Sequence, residues 1–163
     1  MHNTKTLKQF RYYGELLKFR LSITVVFSAA AGYLLGFDQF VKEDFFFLII
    51  GGFLVTGSAN GFNQILEKKY DKLMARTSGR PLPAGNLSIL QAIFFSTIIG
   101  FLGLYLLNQI NPDGGYFGFL SKASFFGLLS MLLYVLSYTP LKRLSTISIF
   151  IGAIPGAIPF LLG

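Results

Sequence analysis

Residues 60–84 read NGFNQILEKKYDKLMARTSGRPLPA and interrupt an otherwise apolar chain. Within this stretch Asn63, Glu67 and Asp71 recur at every fourth position. Each four-residue step on an α-helix turns about 40° past a full revolution, so three such residues span only about 80° of one face. The spacing therefore predicts that one amide and two carboxylates point into the same space.

This set of side chains predicts a Mg²⁺ site. Mg²⁺ is bound by one or two carboxylates and completes its shell with water and substrate phosphates. Basic residues suit those phosphates, and five of them accompany the motif: Lys68, Lys69, Lys72, Arg76 and Arg80. The plainer alternative is a solvated helix end with charge pairs at i,i+4 spacing. Because carboxylates beside a membrane are costly and usually functional, we favour a metal-bridged diphosphate site formed by Asn63, Glu67 and Asp71.

The composition is that of a membrane protein. The chain has 163 residues, of which 53% are hydrophobic and 13% charged, and its mean hydropathy is +0.60. Long apolar windows predict a polytopic, all-α bundle of transmembrane helices. Cysteine is absent and the sole histidine is His2, which disfavours thiolate and imidazole catalysis. The net charge of +7 is explained better by positive loops of a membrane protein than by nucleic-acid binding.

Five spans are predicted, at about residues 21–37, 45–66, 87–107, 116–138 and 147–163. Pro81 and Pro83 interrupt the polar segment after the second span. The fifth span contains Pro155 and Pro159, and no polar segment follows it. We therefore expect residues 1–163 to be the N-terminal part of one larger transmembrane domain.

The charge distribution predicts an orientation. If the spans alternate in direction, all but Lys42 and Lys122 of the 14 lysines and arginines lie on one side of the membrane. The positive-inside rule makes that side cytoplasmic. The predicted site would then be open to soluble Mg²⁺ and phosphorylated metabolites.

Three more residues near the same side are candidates for binding the diphosphate. Tyr138 and Lys142 are four residues apart around Pro140, and Arg20 lies beside Lys18 at the mouth of the first span. The alternative is an interfacial tyrosine with ordinary inside-positive charges.

The 19 phenylalanines allow two interpretations as well. They could face lipid, or they could line a cavity that solvates an isoprenoid tail and stabilises a carbocation.

At these residues the sequence resembles the UbiA-type intramembrane prenyltransferases. Their first motif, N-x-x-x-[D/E]-x-x-x-D, is matched by Asn63, Glu67 and Asp71. More specific are the segments DKLMARTSGRPLP at 71–83, YVLSYTPLKR at 134–143 and STISIFIGAIPGAIPFLLG at 145–163. The resemblance runs from about residue 16 to residue 163 and is greatest to the members that farnesylate haem B. One departure is Phe19, which stands in the middle of the family's Lys-Pro-Arg pattern.

The resemblance implies a nine-helix bundle around a central cavity, and an enzyme that transfers a farnesyl group from farnesyl diphosphate to haem B. Asn63, Glu67 and Asp71 would be catalytic and hold Mg²⁺. The diphosphate-binding candidates are Lys72, Arg76, Arg80, Lys142, Arg20 and Tyr138. The implied location is the bilayer of a bacterial inner membrane, and contact with haem A synthase is a further expectation.

The family has a second, Asp-containing motif that has no counterpart in residues 1–163. The resemblance therefore implies that this chain alone is inactive. Two alternatives stay open at this point. One is a UbiA-type transferase that prenylates a quinone ring precursor, and the other is half of a transporter whose carboxylates bind an ion.

Overall fold

The computed structural model describes residues 2–36, 39–111 and 118–162, with side chains from Lys8 onward. These residues form helices and no strand. In chain order they are α1 (His2–Leu16), α2 (Phe19–Gly36), α3 (Lys42–Asp71), α4 (Ile89–Asn108), α5 (Lys122–Leu132), a π-helical turn (Leu133–Tyr138), α6 (Thr139–Leu141) and α7 (Ser148–Leu162).

Four of these helical segments are long and apolar enough to cross a membrane: Phe19–Gly36, Lys42–Asp71, Ile89–Asn108 and Lys122–Leu141. The fifth predicted span corresponds to α7, which is apolar but only 15 residues long. The predicted all-α membrane bundle is confirmed, with four helices of spanning length rather than five among the described residues. Four residues at the edges of predicted spans, Phe37, Tyr116, Phe117 and Gly163, lie outside the described residues.

The second predicted span ends near Leu66, whereas α3 continues for more than another turn to Asp71. The helix therefore includes the whole motif, as its four-residue spacing predicts, and Lys69 on the opposite face is exposed. Asn63, Glu67 and Asp71 are all buried. The polar loop therefore begins at Lys72, whose amide still donates to the Lys68 carbonyl.

Small residues let α3 approach α4 closely. A Cβ atom added at Gly103 would lie 2.8 Å from the Val55 nitrogen and 2.9 Å from the Gly51 oxygen. Further along the same contact, the Ser58 hydroxyl donates to the Ser96 carbonyl at 2.8 Å. Such small-residue contacts are typical of helices that associate within a membrane. They allow the backbones of α3 and α4 to lie in close contact.

The loop between α3 and α4 is packed against α1. Leu82 and Leu87 are fully buried and form a cluster with Leu16. The loop ends at Ser88, whose hydroxyl accepts from the Gln91 amide in a capping box at the start of α4. These contacts fix the path of the chain that follows the acidic end of α3.

Candidate functional site

The three motif residues lie in the last two and a half turns of α3 with little exposure to solvent. The exposed fractions of Asn63, Glu67 and Asp71 are 1%, 8% and 5%. The Asn63 side-chain amide donates to Glu67 Oε2 at 2.9 Å, as their i,i+4 spacing predicts. A buried carboxylate needs charged or hydrogen-bonding partners, and both carboxylates have them.

Glu67 is neutralised by the segment that follows the π-helical turn. Lys142 Nζ and Arg143 Nη2 each lie 2.7 Å from Glu67 Oε1. The Thr139 hydroxyl donates to Asn63 Oδ1 at 3.0 Å, and Lys142 Nζ lies 3.4 Å from the same oxygen. Residues more than 70 positions apart in the sequence therefore meet at one point.

The π-helical turn gives this segment its orientation. Pro140 has no amide hydrogen and cannot donate to the preceding turn of a regular α-helix, which favours a wider turn. In that turn the Thr139 hydroxyl oxygen also lies 2.8 Å from the Tyr134 carbonyl oxygen, so its single hydrogen is shared between this carbonyl and Asn63 Oδ1. Turns of this kind are frequent at functional sites. Here the turn directs Thr139 and the two basic residues that follow it toward α3.

Asp71 is paired with the loop that follows it. Arg80 Nη1 donates to Asp71 Oδ2 at 2.7 Å. The Thr77 hydroxyl donates to the Asp71 backbone carbonyl at 2.9 Å and so folds the loop back over the helix end. Arg80 is thus held against the acidic face, although it is nine residues away in the chain.

The structure separates the predicted basic candidates into two groups. Arg80 and Lys142 contact the carboxylates, whereas Lys72, Arg76 and Arg20 are exposed. Among the described residues these last three form no ion pair with the acidic face.

Tyr138 lies under Lys142, whose Nζ is 5.5 Å from the ring centroid. Its ring stacks on Tyr134 at a centroid distance of 5.4 Å and packs against Gly152 of α7.

Two residues of the site were not among the sequence candidates: Thr139 and Arg143. The sequence could have indicated both, because residues four positions apart share one helical face, and that face lies beside Lys142. The Arg143 guanidinium also lies 3.3 Å from the centroid of the Tyr70 ring.

An apolar cavity of about 180 Å³ opens close to the acidic face, between α2, α3, α5, the π-helical turn and α7. Asn60 and Tyr134 line it at the end nearest to Asn63 and Thr139. Of the residues that line this cavity, Tyr134 alone is aromatic. Many phenylalanines, such as Phe27 and Phe101, point outward instead. This favours the lipid-facing interpretation of the phenylalanines and leaves a mainly aliphatic cavity.

The donor set fits Mg²⁺ in its chemistry. It offers the carboxylates of Glu67 and Asp71 and the amide oxygen of Asn63, all hard oxygen ligands. Among the described residues no three His, Cys, Asp or Glu side chains gather into a metal site. A metal at this face would therefore need further oxygens from water or phosphate, which is the usual manner of Mg²⁺ binding.

Comparison with known proteins identifies the family. Residues 25–163 match the sequence profile of the UbiA prenyltransferase family. The chain belongs to the UbiA prenyltransferase family. The family expected from the sequence is thus confirmed. A chain solved in a structural study of digeranylgeranylglyceryl phosphate synthase in membranes is similar to this UbiA chain, with a TM-score of 0.82 at 25% identity. The similarity covers 95% of this chain and 52% of the solved chain.

Similar sequences in the UbiA family carry the name protoheme IX farnesyltransferase. One from Flavobacterium psychrophilum is 45% identical over 94% of this chain and 49% of its own length. One from Christiangramia forsetii is 47% identical over 91% of this chain and 47% of its own length. A mitochondrial protein of that name from Arabidopsis thaliana is 38% identical over 94% of this chain and 34% of its own length. The chain spans about half the length of the bacterial relatives.

Proposed function

We propose that this chain forms the metal- and diphosphate-binding part of an enzyme that transfers a farnesyl group from farnesyl diphosphate to haem B, giving haem O. One observation carries the proposal. The buried face of Asn63, Glu67 and Asp71 is ringed by cations and adjoins an apolar cavity. An anionic head and an apolar tail would find matching surroundings there, and relatives named protoheme IX farnesyltransferase suggest the substrates.

In this proposal Asn63, Glu67 and Asp71 hold Mg²⁺ through their oxygens. The metal would supply Lewis-acid stabilisation of the charge that develops on the leaving diphosphate. Arg80 and Lys142, which pair with the two carboxylates, would donate to phosphate oxygens when the substrate binds. Such preorganised donors stabilise the leaving diphosphate, which gains negative charge as the C–O bond breaks, more than the bound substrate. Arg143 would act in the same way, from its position on Tyr70.

The cavity accounts for the other half of the reaction. When the C–O bond of the donor breaks, its electron pair leaves with the diphosphate and an allylic cation remains. The apolar wall keeps water away from this cation until the π electrons of a haem vinyl group attack it. Addition of water to the new cation and loss of a proton complete haem O.

The remaining candidates take outer positions in this proposal. Lys72, Arg76 and Arg20 would contribute to the positive field that attracts the anion, and Tyr138 would hold Lys142 in place. The protein would lie in the bacterial inner membrane, with the site facing the cytoplasm. Contact with haem A synthase stays a prediction.

The proposal is tested by completing the chain with the remaining half of the Flavobacterium psychrophilum relative. The fusion, purified in detergent, receives Mg²⁺, farnesyl diphosphate and haem B, and haem O is measured by mass spectrometry. We expect turnover that Glu67→Gln or Asp71→Asn nearly abolishes, and none from residues 1–163 alone. Prenylation of 4-hydroxybenzoate instead of haem B would favour the quinone alternative. Mg²⁺-dependent ion flux in vesicles without any prenyl transfer would favour the transporter.

A further inference from the structure

Lys18, which the proposed mechanism does not use, lies between α1 and α2 with a backbone φ of 48°. This left-handed conformation is uncommon outside glycine and has to be held by its surroundings. The charges that act on its half-buried side chain are those of Arg80, Glu67, Lys142 and Asp71. In the part of the chain that the structure describes, Lys18 forms no ion pair with any of them.

Two amides of α3 hold the chain just before Lys18. Gln64 Nε2 donates to the carbonyls of Glu15 at 3.2 Å and Leu16 at 2.8 Å. Asn60 Nδ2 donates to the Leu17 carbonyl at 3.4 Å. Carbonyls at the end of a helix have no partner within it, and these amides supply one. The Lys18 amide and the Ser22 hydroxyl also donate to the Glu15 and Leu17 carbonyls. We refer to Asn60 and Gln64 as the amide clamp.

The amide clamp lies on the same face of α3 as the acidic residues. Asn60 and Gln64 precede Glu67 by seven and three positions, which is the spacing of one helical face. The junction is fixed from its other side by the α3–α4 loop, because Leu16 packs on Leu82 close to Arg80. The fold therefore holds Lys18 between the acidic face and the loop that carries Arg80.

We propose that Lys18 is a further diphosphate-binding residue of this site, positioned by the amide clamp. The inference rests on the proposed function, since the anion is taken to be the substrate's diphosphate. Arg80, Lys142 and Arg143 form ion pairs with the two carboxylates of Glu67 and Asp71, so the ammonium of Lys18 is a fourth positive charge beside two negative ones and forms no ion pair with either.

The surroundings of Lys18 disfavour its charge unless an anion is bound. Burial, with the nearby charge of Arg80, lowers the pKa of Lys18 from 10.5 to about 8. A diphosphate would offset both effects and accept a charge-assisted hydrogen bond. Arg20, two residues further along, is exposed and does not share these surroundings.

The test measures binding of inorganic pyrophosphate with Mg²⁺ by isothermal titration calorimetry to the detergent-purified fusion that completes the chain with the remaining half of the Flavobacterium psychrophilum relative. Lys18→Met should weaken binding roughly tenfold, about 1.4 kcal/mol, while Lys18→Arg retains most of it. Lys8→Met is the matched control, because it removes the same charge from an exposed position in α1. Helix content and elution volume identify variants that remain folded.

A double-mutant cycle tests the amide clamp. Gln64→Leu should weaken pyrophosphate binding severalfold on its own and have little effect in a Lys18→Met background, because it acts through Lys18. Equal losses in both backgrounds would overturn the positioning role. Equal affinities of Lys18→Met and Lys8→Met would overturn the role of Lys18. If the unmodified fusion binds no pyrophosphate, the proposed function fails first, so the two failures are distinguishable.

Discussion

Arg80 and Arg76 lie four residues apart in the loop after α3, yet only Arg80 reaches a carboxylate. Its side chain is largely buried with Asp71, whereas Arg76 is exposed. A charge pair held in this way is stronger than one on the surface, where solvent and salt screen it. At the residue scale, position in the fold therefore matters more than residue type.

This difference gives a prediction for Mg²⁺-dependent pyrophosphate binding. Arg80→Met should weaken it about tenfold or more, because a phosphate donor is lost and Asp71 is left without its cation. Arg76→Met should have a much smaller effect. Both variants remove one positive charge, and isothermal titration calorimetry compares their affinities for pyrophosphate. Similar losses would show that the two arginines act only through the general positive field.

The lowered pKa of Lys18 predicts a pH-dependent stability without ligand. Its folded pKa of about 8 lies below the ordinary value of 10.5, so the folded state binds fewer protons between these values. The charge therefore destabilises the fold at pH 7, and this penalty is relieved as pH rises from about 8 toward 10.5.

Lys18→Met should accordingly raise the thermal midpoint in detergent at pH 7, and the gain should shrink by pH 10. Lys8→Met should show neither effect, since Lys8 is exposed. A midpoint lowered by Lys18→Met at pH 7 would contradict this account. If removing the charge of Lys18 stabilises the protein, the site keeps this cation for ligand binding at the expense of stability.

At the scale of elements, the contact between α3 and α4 depends on glycine. The atoms nearest to a Cβ on Gly103 would be backbone and Cβ atoms of α3, which cannot rotate away as the end of a long side chain could. Gly103→Ala should therefore lower the thermal midpoint by forcing the helices apart, at a cost of about 1–3 kcal/mol. Gly79→Ala is the matched control, because no heavy atom lies within 4 Å of its added Cβ. An equal midpoint for the two variants would show that the helix pair adjusts freely.

For the whole molecule, the charge split predicts an orientation that labelling can test. The chain has no cysteine, so single cysteines can be introduced without a background. Ser78→Cys should react with an impermeant thiol reagent only from the cytoplasmic side, and Lys122→Cys only from outside. The opposite pattern would invert the bundle and deny the site access to cytoplasmic Mg²⁺. Asp113, in the predicted outer loop between the third and fourth spans, should be labelled from the same side as Lys122, and it lies outside the described residues.

The sequence by itself determined the membrane class, the all-α fold and the common face of Asn63, Glu67 and Asp71. These features follow from local properties: apolar length sets the spans, and helical periodicity aligns every fourth residue. The predicted apolar span ends near Leu66, but the four-residue spacing of the motif already placed Asp71 on the same helix, and α3 ends there. The ion pairs of Glu67 and Asp71 with Lys142 and Arg80 could not be predicted in the same way.

Only the tertiary structure decided which basic residues meet the carboxylates. Thr139 and Arg143 reach α3 from a segment that the π-helical turn reorients. Lys18, unlike the exposed Arg20, is half-buried in the field of Glu67 and Asp71, and two amides of α3 bind the carbonyls just before it. Each of these contacts joins residues far apart in the chain. Sequence spacing encodes neighbours along one helix, whereas approach between helices depends on how their surfaces pack.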